Sequence, residues 1–273
     1  MAILNITPDS FSDGGQLFGE DFNQSVDAVL ATAQSALDAG ADVLDIGGES
    51  TRPGAQAVSL DEELCRVLPV IKALRQVFPK AILSIDTRKA EVARRAVEAG
   101  AGIINDVSGL QYDPAMAKTA AQTGAYLVIM HTQGTPEVMQ QNPVYPKGVM
   151  AEITNFFQQQ SETAIAAGVS PEHIILDPGF GFGKTVDHNL ELLTRLAEFK
   201  TLGYPLLVGT SRKSFLTLGQ SIPASQRDAL TAASLATAIA NGASMLRIHN
   251  VPALSPVIHL ADRLHKASAI PTR

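Results

Sequence analysis

The sequence predicts an α/β fold, a single (β/α)8 TIM barrel, because eight short apolar runs recur along the chain with helix-like stretches between them. Each run also ends at a polar residue. In such a barrel the C-terminal ends of the strands form one mouth, where the active site lies. The length of 273 residues fits one barrel, so we predict a single domain over residues 1–273. An open, doubly wound sheet is the alternative, and the count of eight units favours the barrel.

The predicted strands are continuously apolar rather than alternating, which is typical of parallel strands covered on both faces. They lie at residues 2–7, 43–51, 81–87, 102–107, 125–131, 173–179, 205–213 and 245–250. Polar residues near their C-terminal ends are Asn5, Asp45, Glu49, Asp86, Asn105, Asp106, His131, Asp177, Lys213, Arg247 and His249. In a barrel these side chains would share one polar pocket.

A helix is predicted after the second strand, because apolar residues recur there on one helical face. They are Leu60, Leu64, Val67, Leu68 and Ile71. Ser59 and Glu62 match a capping box at its start. Pro69 is expected to kink or split this helix, and Cys65 is expected in the core.

Helix ends are marked by a repeated Gly-Ala dipeptide at residues 40–41, 100–101, 124–125 and 242–243. Glycine just past a helix can adopt the left-handed conformation that terminates it. The longest strand-to-helix loops, at 7–21, 47–59 and 131–147, are expected to form the rim of the mouth.

Composition excludes several classes of partner. The net charge of −6 argues against general nucleic-acid binding. Residues 229–246 lack charged side chains but contain several polar ones, so they predict a buried helix rather than a membrane span. The N-terminus does not read as a signal peptide, and the one cysteine, Cys65, indicates a reducing compartment. We therefore expect a cytoplasmic protein.

Three strand-end groups could hold a flat amino-heterocycle. A carboxylate accepts two hydrogen bonds from a 2-amino-4-oxo ring, and such charge-assisted pairs are strong and selective. Asp86, Asn105 and Asp177 lie at the ends of the third, fourth and sixth predicted strands and suit this role. Each could instead cap the next helix. Their grouping at one mouth favours binding.

The segment 179–185 resembles a phosphate-binding loop, but Pro178 stands where that motif needs its first glycine. Its glycines more readily allow close approach to a flat ligand, with Phe180 or Phe182 touching the ring face. An anion site is predicted instead from Arg247 and His249, two residues apart on the last strand. Lys213 could join it or bind a ring atom.

Seven ordered segments resemble the dihydropteroate synthase family over nearly the whole chain. They are residues 3–15, 45–54, 84–87, 103–106, 176–181, 211–214 and 247–249. The resemblance implies a (β/α)8 barrel that joins 6-hydroxymethyl-7,8-dihydropterin diphosphate to p-aminobenzoate and releases pyrophosphate, with Mg2+ as cofactor. The family belongs to folate biosynthesis, is the target of sulfonamides and is commonly a homodimer.

The resemblance also implies roles for individual residues. The pterin-binding set is Asp86, Asn105, Asp177 and Lys213, with Phe180 beside the ring. Asn5 is implied as the Mg2+ and diphosphate ligand, and Arg247 and His249 as diphosphate anchors. The loop and p-aminobenzoate site consists of Phe11, Thr51, Arg52, Pro53 and Ser214. Asp13, Lys213, Arg247 and His249 are the catalytic candidates.

The reaction expected from these residues is a dissociative substitution, in which the diphosphate leaves before the aniline nitrogen adds. Anionic Asp177 would hold the pterin cation, and Asp13 would stabilise it from the loop side. Two alternatives remain. A methyltetrahydrofolate methyltransferase-type barrel would not need segments 211–214 and 247–249, and a non-catalytic pterin-binding paralogue would have lost loop or diphosphate residues, none of which is missing.

Overall fold

The computed structural model describes residues 1–6, 20–50, 57–134 and 139–268. Strands and helices alternate along this part of the chain. The strands are β1 Ala2–Asn5, β2 Val43–Gly47, β3 Ile82–Asp86, β4 Ile103–Asp106, β5 Tyr126–Met130, β6 Ile174–Asp177, β7 Leu207–Val208 and β8 Met245–Leu246. The helices are α1 Glu20–Asp38, α2 Leu60–Val77, α3 Ala90–Glu98, α4 Met116–Thr123, α5 Val149–Ala166, α6 Val186–Thr194, α7 Asp228–Ala240 and α8 Val251–Ser268.

Hydrogen bonds close the strands into a barrel. Strands β1 to β6 pair in sequence order, every pair is parallel, and β7 pairs with β8. The amide of Leu176 donates to the carbonyl of Pro205 at 2.9 Å, which joins β6 to the chain entering β7. The amide of Ile3 donates to the carbonyl of Ile248 at 3.0 Å, which joins β1 to the chain leaving β8. The barrel prediction is therefore confirmed, and the open sheet is wrong.

The barrel interior is apolar near the N-terminal ends of the strands and polar at the mouth. A small inner cluster consists of Val43, Ile103, Val128, Ile175 and Leu207. Because side chains two positions apart on a strand share a face, the residues after these point into the same interior. Asp45 follows Val43 in this way, Asn105 follows Ile103, and Asp177 follows Ile175. A larger cluster fills the layer between the strands and the helices.

Helix α2 departs from the sequence prediction in three respects. Ser59 accepts a hydrogen bond from the Glu62 amide at 3.2 Å, but the Glu62 side chain pairs with Arg66 instead of completing a capping box. Pro69 lies inside one continuous helix, so the expected split is wrong. Cys65 is exposed, and its expected place in the core is also wrong. The buried stripe passes through Val67, and a residue two positions before it points to the opposite side of a helix.

The glycines of the four Gly-Ala junctions adopt left-handed conformations, with φ of 94° at Gly40, 118° at Gly100, 67° at Gly124 and 92° at Gly242. This confirms their role in ending helices. Residues 229–246 form most of α7 and a turn into β8. Across the described residues, no helix combines the length and apolar character needed to cross a membrane.

We predict that Gly124→Ala lowers the free energy of unfolding by about 1 kcal/mol, because a left-handed backbone is strained for alanine. An added Cβ at this position would meet no atom within 4 Å, so the effect isolates backbone strain. Gly102→Ala is the matched control, since its surroundings are equally open and its φ is not positive. Urea unfolding measures the stability of both variants against the wild type. If Gly124→Ala destabilised the protein no more than Gly102→Ala, the prediction would be contradicted.

Candidate active site

The register of the parallel strands aligns the predicted pterin residues at one end of the barrel. Asn5 pairs with Gly47, Gly47 with Asp86, and Asp86 with Asn105. A Cβ added to Gly47 would lie 3.7 Å from the Asn5 amide oxygen and 3.5 Å from the Asp86 Cβ. The bare glycine thus leaves room for these two side chains to approach each other. Asp177 ends β6 on the same rim of the barrel.

The Arg247 guanidinium crosses the mouth and joins these strands. Its Nε donates to Asp45 Oδ2 at 2.6 Å, and its Nη2 donates to Asp86 Oδ2 at 2.5 Å. Asp45 Oδ2 also accepts from the Asn105 amide at 3.2 Å. Asp45 is fully buried, whereas the Arg247 side chain keeps 19% of its area exposed. Arg247 thus contacts the carboxylates of the predicted pterin floor as well as facing the opening.

Burial raises the pKa values of both acids in the predicted pterin set. The pKa of Asp86 rises to about 7, mainly through burial, with Arg247 opposing the shift and Asp45 adding to it. The pKa of Asp177 rises to about 6, again mainly through burial. The Gly179 amide donates to Asp177 Oδ1 at 2.7 Å and opposes this rise. Both acids would hold a proton more tightly than free aspartate until hydrogen-bond donors reach them.

Lys213 lies between the acids and an aromatic ring. Burial, assisted by Arg247, lowers the pKa of Lys213 to about 8, while Asp177 and Asp86 act in the opposite direction. Its Nζ lies 3.9 Å from the centroid of the Phe182 ring. Lys213 is therefore placed to donate a hydrogen bond to a ligand held between the carboxylates and this ring.

The predicted anion residue His249 lies at the outer edge of the mouth. Its Nδ1 is 3.0 Å from Ser211 Oγ, and its backbone amide donates to the same oxygen at 3.2 Å. The His249 residue is exposed, which suits contact with a charged group at the opening. Ser214 is also exposed and begins a short 3-10 helix, Ser214–Thr217. The neighbouring Arg212 is neutralised by Asp228 at 2.7 Å.

Phe180 does not occupy the predicted position beside the ligand. Its side chain is 1% exposed and stacks on Phe215, with ring centroids 6.1 Å apart, inside the main core cluster. Phe182, which is partly exposed and contacts Lys213, takes the place facing the mouth. Five further predicted residues lie outside the described residues: Phe11, Asp13, Thr51, Arg52 and Pro53.

Several strand-end residues serve the fold. Asp106 caps the turn after β4, where its carboxylate accepts from the amides of Ser108 at 2.8 Å and Leu110 at 2.7 Å. Glu49 pairs with Arg88 and Lys89, each at 2.8 Å. Asp106 thus stabilises the turn after β4 and does not cap helix α4, which begins at Met116.

Sequence reasoning gives no specific role to Asp45 or Lys184 and does not separate Phe182 from Phe180. Asp45 lies inside an apolar strand, and its pairing with Arg247 depends on barrel closure across 202 positions of sequence. Lys184 lies in segment 179–185, whose resemblance to a phosphate-binding loop fails at Pro178. Phe182 was named as an equal to Phe180, and no spacing rule separates two aromatic residues in a Gly-x-Gly-x-Gly loop. The signals for Asp45 in the sequence are its place near the end of a predicted strand and its spacing of two residues from Val43.

The protein is therefore a parallel (β/α)8 barrel whose mouth carries buried carboxylates, an amide and a lysine. A sequence model of the family described as "Pterin binding enzyme" matches residues 1–249. The dihydropteroate synthase of Synechocystis sp. is 48% identical over 97% of this chain and 89% of its own length.

Solved structures of dihydropteroate synthases are similar to this chain in fold and sequence. The Yersinia pestis dihydropteroate synthase with a sulfonamide drug has a TM-score of 0.89 and 44% identity, covering 97% of this chain and 93% of that one. The Xanthomonas albilineans dihydropteroate synthase with 4-aminobenzoic acid has a TM-score of 0.86 and 39% identity, covering 99% and 93%. The chain therefore belongs to the dihydropteroate synthase family.

The raised pKa of Asp177 predicts a pH-dependent stability difference from Asp177→Asn. The folded pKa of about 6 exceeds the ordinary value of 3.8, so the contribution of this group is fully present at low pH and is lost as pH rises through 6. Relative to the variant, the wild type should therefore lose roughly 1–3 kcal/mol between about pH 4 and pH 7.

Urea unfolding at several pH values measures this difference. The matched control is Asp187→Asn, which makes the same change at an exposed position in the first turn of α6. The quantity compared is the free energy of unfolding of the wild type minus that of Asp177→Asn. If this quantity stayed constant or increased as the pH rises, the prediction would be contradicted.

Proposed function

We propose that this protein joins 6-hydroxymethyl-7,8-dihydropterin diphosphate to p-aminobenzoate, forming 7,8-dihydropteroate and pyrophosphate. The observation that carries the proposal is the set of buried groups at the barrel mouth. Asp86, Asp177 and the Asn105 amide are buried there and offer hydrogen-bond acceptors, and the half-buried Lys213 beside them offers donors. Membership of the dihydropteroate synthase family supports the same reaction.

The pterin ring fits the acceptors at the floor of the mouth. A 2-amino-4-oxo ring presents adjacent N–H donors, which a carboxylate binds in a bidentate, charge-assisted pair. The Asn105 Oδ1 atom is buried and has no hydrogen-bond partner among the described residues, so a ring donor would satisfy it. Lys213 can then donate to a ring oxygen or nitrogen from the side of β7. These contacts explain why the site keeps buried carboxyl groups at all.

The diphosphate fits the cationic edge of the mouth formed by Arg247 and His249. Asn5 supplies an amide oxygen beside Asp86, and Mg2+ prefers such oxygen ligands together with phosphate oxygens and water. The residues present therefore fit a Mg2+ ion held mainly by the substrate, with Asn5 as its protein ligand. When bound, Mg2+ would neutralise charge on the diphosphate. Arg247 and His249 would orient the leaving group and bind the charge that grows on it.

The substitution follows a dissociative course. The bond between the pterin methylene carbon and the diphosphate oxygen breaks, and both electrons leave on that oxygen. The electron-rich dihydropterin ring shares the positive charge, and Asp177 holds this cation through its carboxylate. The aniline nitrogen then forms the new C–N bond and loses its proton to solvent. Asp13 is proposed to stabilise the cation from the loop side.

The p-aminobenzoate site is proposed at the outer side of the mouth, next to Phe182 and Lys213. The Phe182 ring offers an apolar face to this site and contacts Lys213. Ser214 follows Lys213 in the sequence and is exposed. Phe11, Thr51, Arg52 and Pro53 would complete this site. Support comes from relatives: the Xanthomonas albilineans enzyme has been solved with 4-aminobenzoic acid, and the Yersinia pestis enzyme with a sulfonamide drug.

We also propose that the protein is a cytoplasmic homodimer. Leu260 and Leu264 are 61% and 62% exposed and lie four residues apart, on one face of α8. Such a paired apolar strip on an outer helix suits a two-fold interface between copies of one chain. The one cysteine of the chain suits a reducing compartment.

We expect the protein to release pyrophosphate when given both substrates and Mg2+, and to lose most of this activity when EDTA removes the ion. Omission of p-aminobenzoate separates two mechanisms. Slow pyrophosphate release without the amine would support the dissociative course, whereas release only with the amine would support concerted attack. A complete lack of dihydropteroate formation with both substrates would refute the proposed function and favour the non-catalytic paralogue.

His249→Gln should raise the inhibition constant of pyrophosphate by about tenfold, because the neutral amide of glutamine replaces the imidazole and weakens a hydrogen bond to a charged group. The pterin dissociation constant should change little, since His249 contacts Ser211 at the outer edge rather than the floor carboxylates. The matched control is His259→Gln, at an exposed position on α8. Equal pyrophosphate inhibition of wild type and His249→Gln would contradict the assignment.

A further inference from the structure

The lysine of the glycine-rich segment after β6 turns into the protein rather than toward the mouth. Lys184 is 3% exposed, although this segment resembles a phosphate-binding loop in sequence. Its Nζ lies within hydrogen-bonding distance of four acceptors. They are the carbonyls of Gly179 at 2.9 Å, Phe182 at 3.0 Å and His131 at 3.3 Å, and the Nδ1 of His131 at 3.0 Å. These contacts occupy the ammonium group, so Lys184 does not reach a substrate.

We propose that Lys184 is a positioning residue, whose ammonium group folds segment 178–183 around itself and thereby aims Asp177 and Phe182 into the mouth. This inference rests on the proposed function, because it assigns Asp177 to the pterin and Phe182 to p-aminobenzoate. It concerns a buried lysine, whose pKa is lowered to about 7 by burial and which the proposed reaction does not otherwise use.

The link to Asp177 passes through one peptide unit on each side of Gly179. The Gly179 amide donates to Asp177 Oδ1 at 2.7 Å, and the Gly179 carbonyl accepts from Lys184 at 2.9 Å. The left-handed φ of 68° at Gly179 brings its backbone so close to β5 that an added Cβ would lie 2.0 Å from the His131 carbonyl oxygen. Lys184 thus stabilises the turn whose amide orients the carboxylate.

Lys184 is linked to Phe182 through the backbone carbonyl of Phe182. Lys184 holds this carbonyl at 3.0 Å, while the Phe182 ring lies on the other side and contacts Lys213. Two further bonds hold the segment from outside. The Gly181 amide donates to Asn189 at 2.7 Å, and the Tyr145 hydroxyl donates to the Gly183 carbonyl at 2.8 Å. Without Lys184, the carbonyls of Gly179 and Phe182 would be buried without their donor, which favours another loop conformation.

His131 is a suitable partner because it stays neutral. Burial, and then the charge of Lys184, lower the pKa of His131 well below its ordinary value. A neutral imidazole can accept through Nδ1. The strand-end histidine noted in the sequence therefore supports the loop lysine, and neither residue is a metal ligand or a base in the reaction.

Lys184→Met tests the proposal, because methionine has similar length and no donor. We expect the KM for p-aminobenzoate and the dissociation constant of 6-hydroxymethylpterin each to rise about tenfold or more, while pyrophosphate inhibition stays within about twofold of wild type. The matched control is Lys118→Met at an exposed position on α4. Wild-type values for both substrates, or an equal loss of pyrophosphate binding, would overturn the positioning role.

A double-mutant cycle gives a second, independent reading. If Lys184 acts on p-aminobenzoate through Phe182, then Lys184→Met should raise its KM much less in a Phe182→Ala background than in the wild type. Full additivity would overturn this part of the proposal. If Lys184→Met does not fold, Tyr145→Phe removes a milder constraint on the same segment, and its effect should show the same selectivity for the two substrates over pyrophosphate.

Failure of the proposed function would be distinguishable. Wild-type protein that forms no dihydropteroate refutes the synthase assignment. The dissociation constant of 6-hydroxymethylpterin needs no turnover, so the comparison of wild type with Lys184→Met still decides whether Lys184 positions Asp177.

Discussion

The contact of Arg247 with Asp45 and Asp86 is the interaction on which the site depends. Strand β8 contains only Met245 and Leu246, so few ladder hydrogen bonds hold the chain at the closing seam of the barrel. The guanidinium joins this last strand to β2 and β3. Removal of one partner from a buried ion pair typically destabilises a protein by about 3–5 kcal/mol, because the other charge stays desolvated. The same contact therefore closes the fold and fixes the orientation of the floor carboxylates.

Burial makes the charged forms of several side chains at the mouth unfavourable. Burial raises the pKa values of Asp86 and Asp177 and lowers that of Lys213, so each group is held away from its preferred charge state. A ligand that donates to the acids and accepts from the lysine relieves all of these costs at once. The selectivity for a flat ring with donors and acceptors on neighbouring atoms follows from this relief. An apolar ring of the same size would leave the groups unpaired.

Prediction from sequence succeeded where the fold repeats a simple rule. Strand ends meet at one mouth in any parallel barrel, so Asp86, Asn105 and Asp177 could be placed together before any coordinates. It failed where the outcome depends on local packing. Phe180 and Phe182 differ only in which face of a glycine loop they occupy, and Cys65 differs from Val67 only by its angle around α2. Asp45 and Lys184 were harder still, because Arg247, the partner of Asp45, and His131, one partner of Lys184, lie on distant elements. Both residues also act by supporting other groups rather than by an evident contact with a ligand.

The positions of the strands also bear on the proposed mechanism. Asp86 lies on β3 and Asp177 on β6, so the two acids would flank the proposed pterin ring from strands well separated around the barrel. Arg247 and His249 follow β8, where the diphosphate is proposed to leave. A leaving anion would thus be drawn towards Arg247 and His249, while the positive charge left on the ring would stay beside Asp177, since Asp86 is already paired with Arg247. This arrangement favours the dissociative course, with a short-lived pterin cation, over concerted attack by the amine. The reason is that the cation and the departing diphosphate would each lie beside groups of opposite charge.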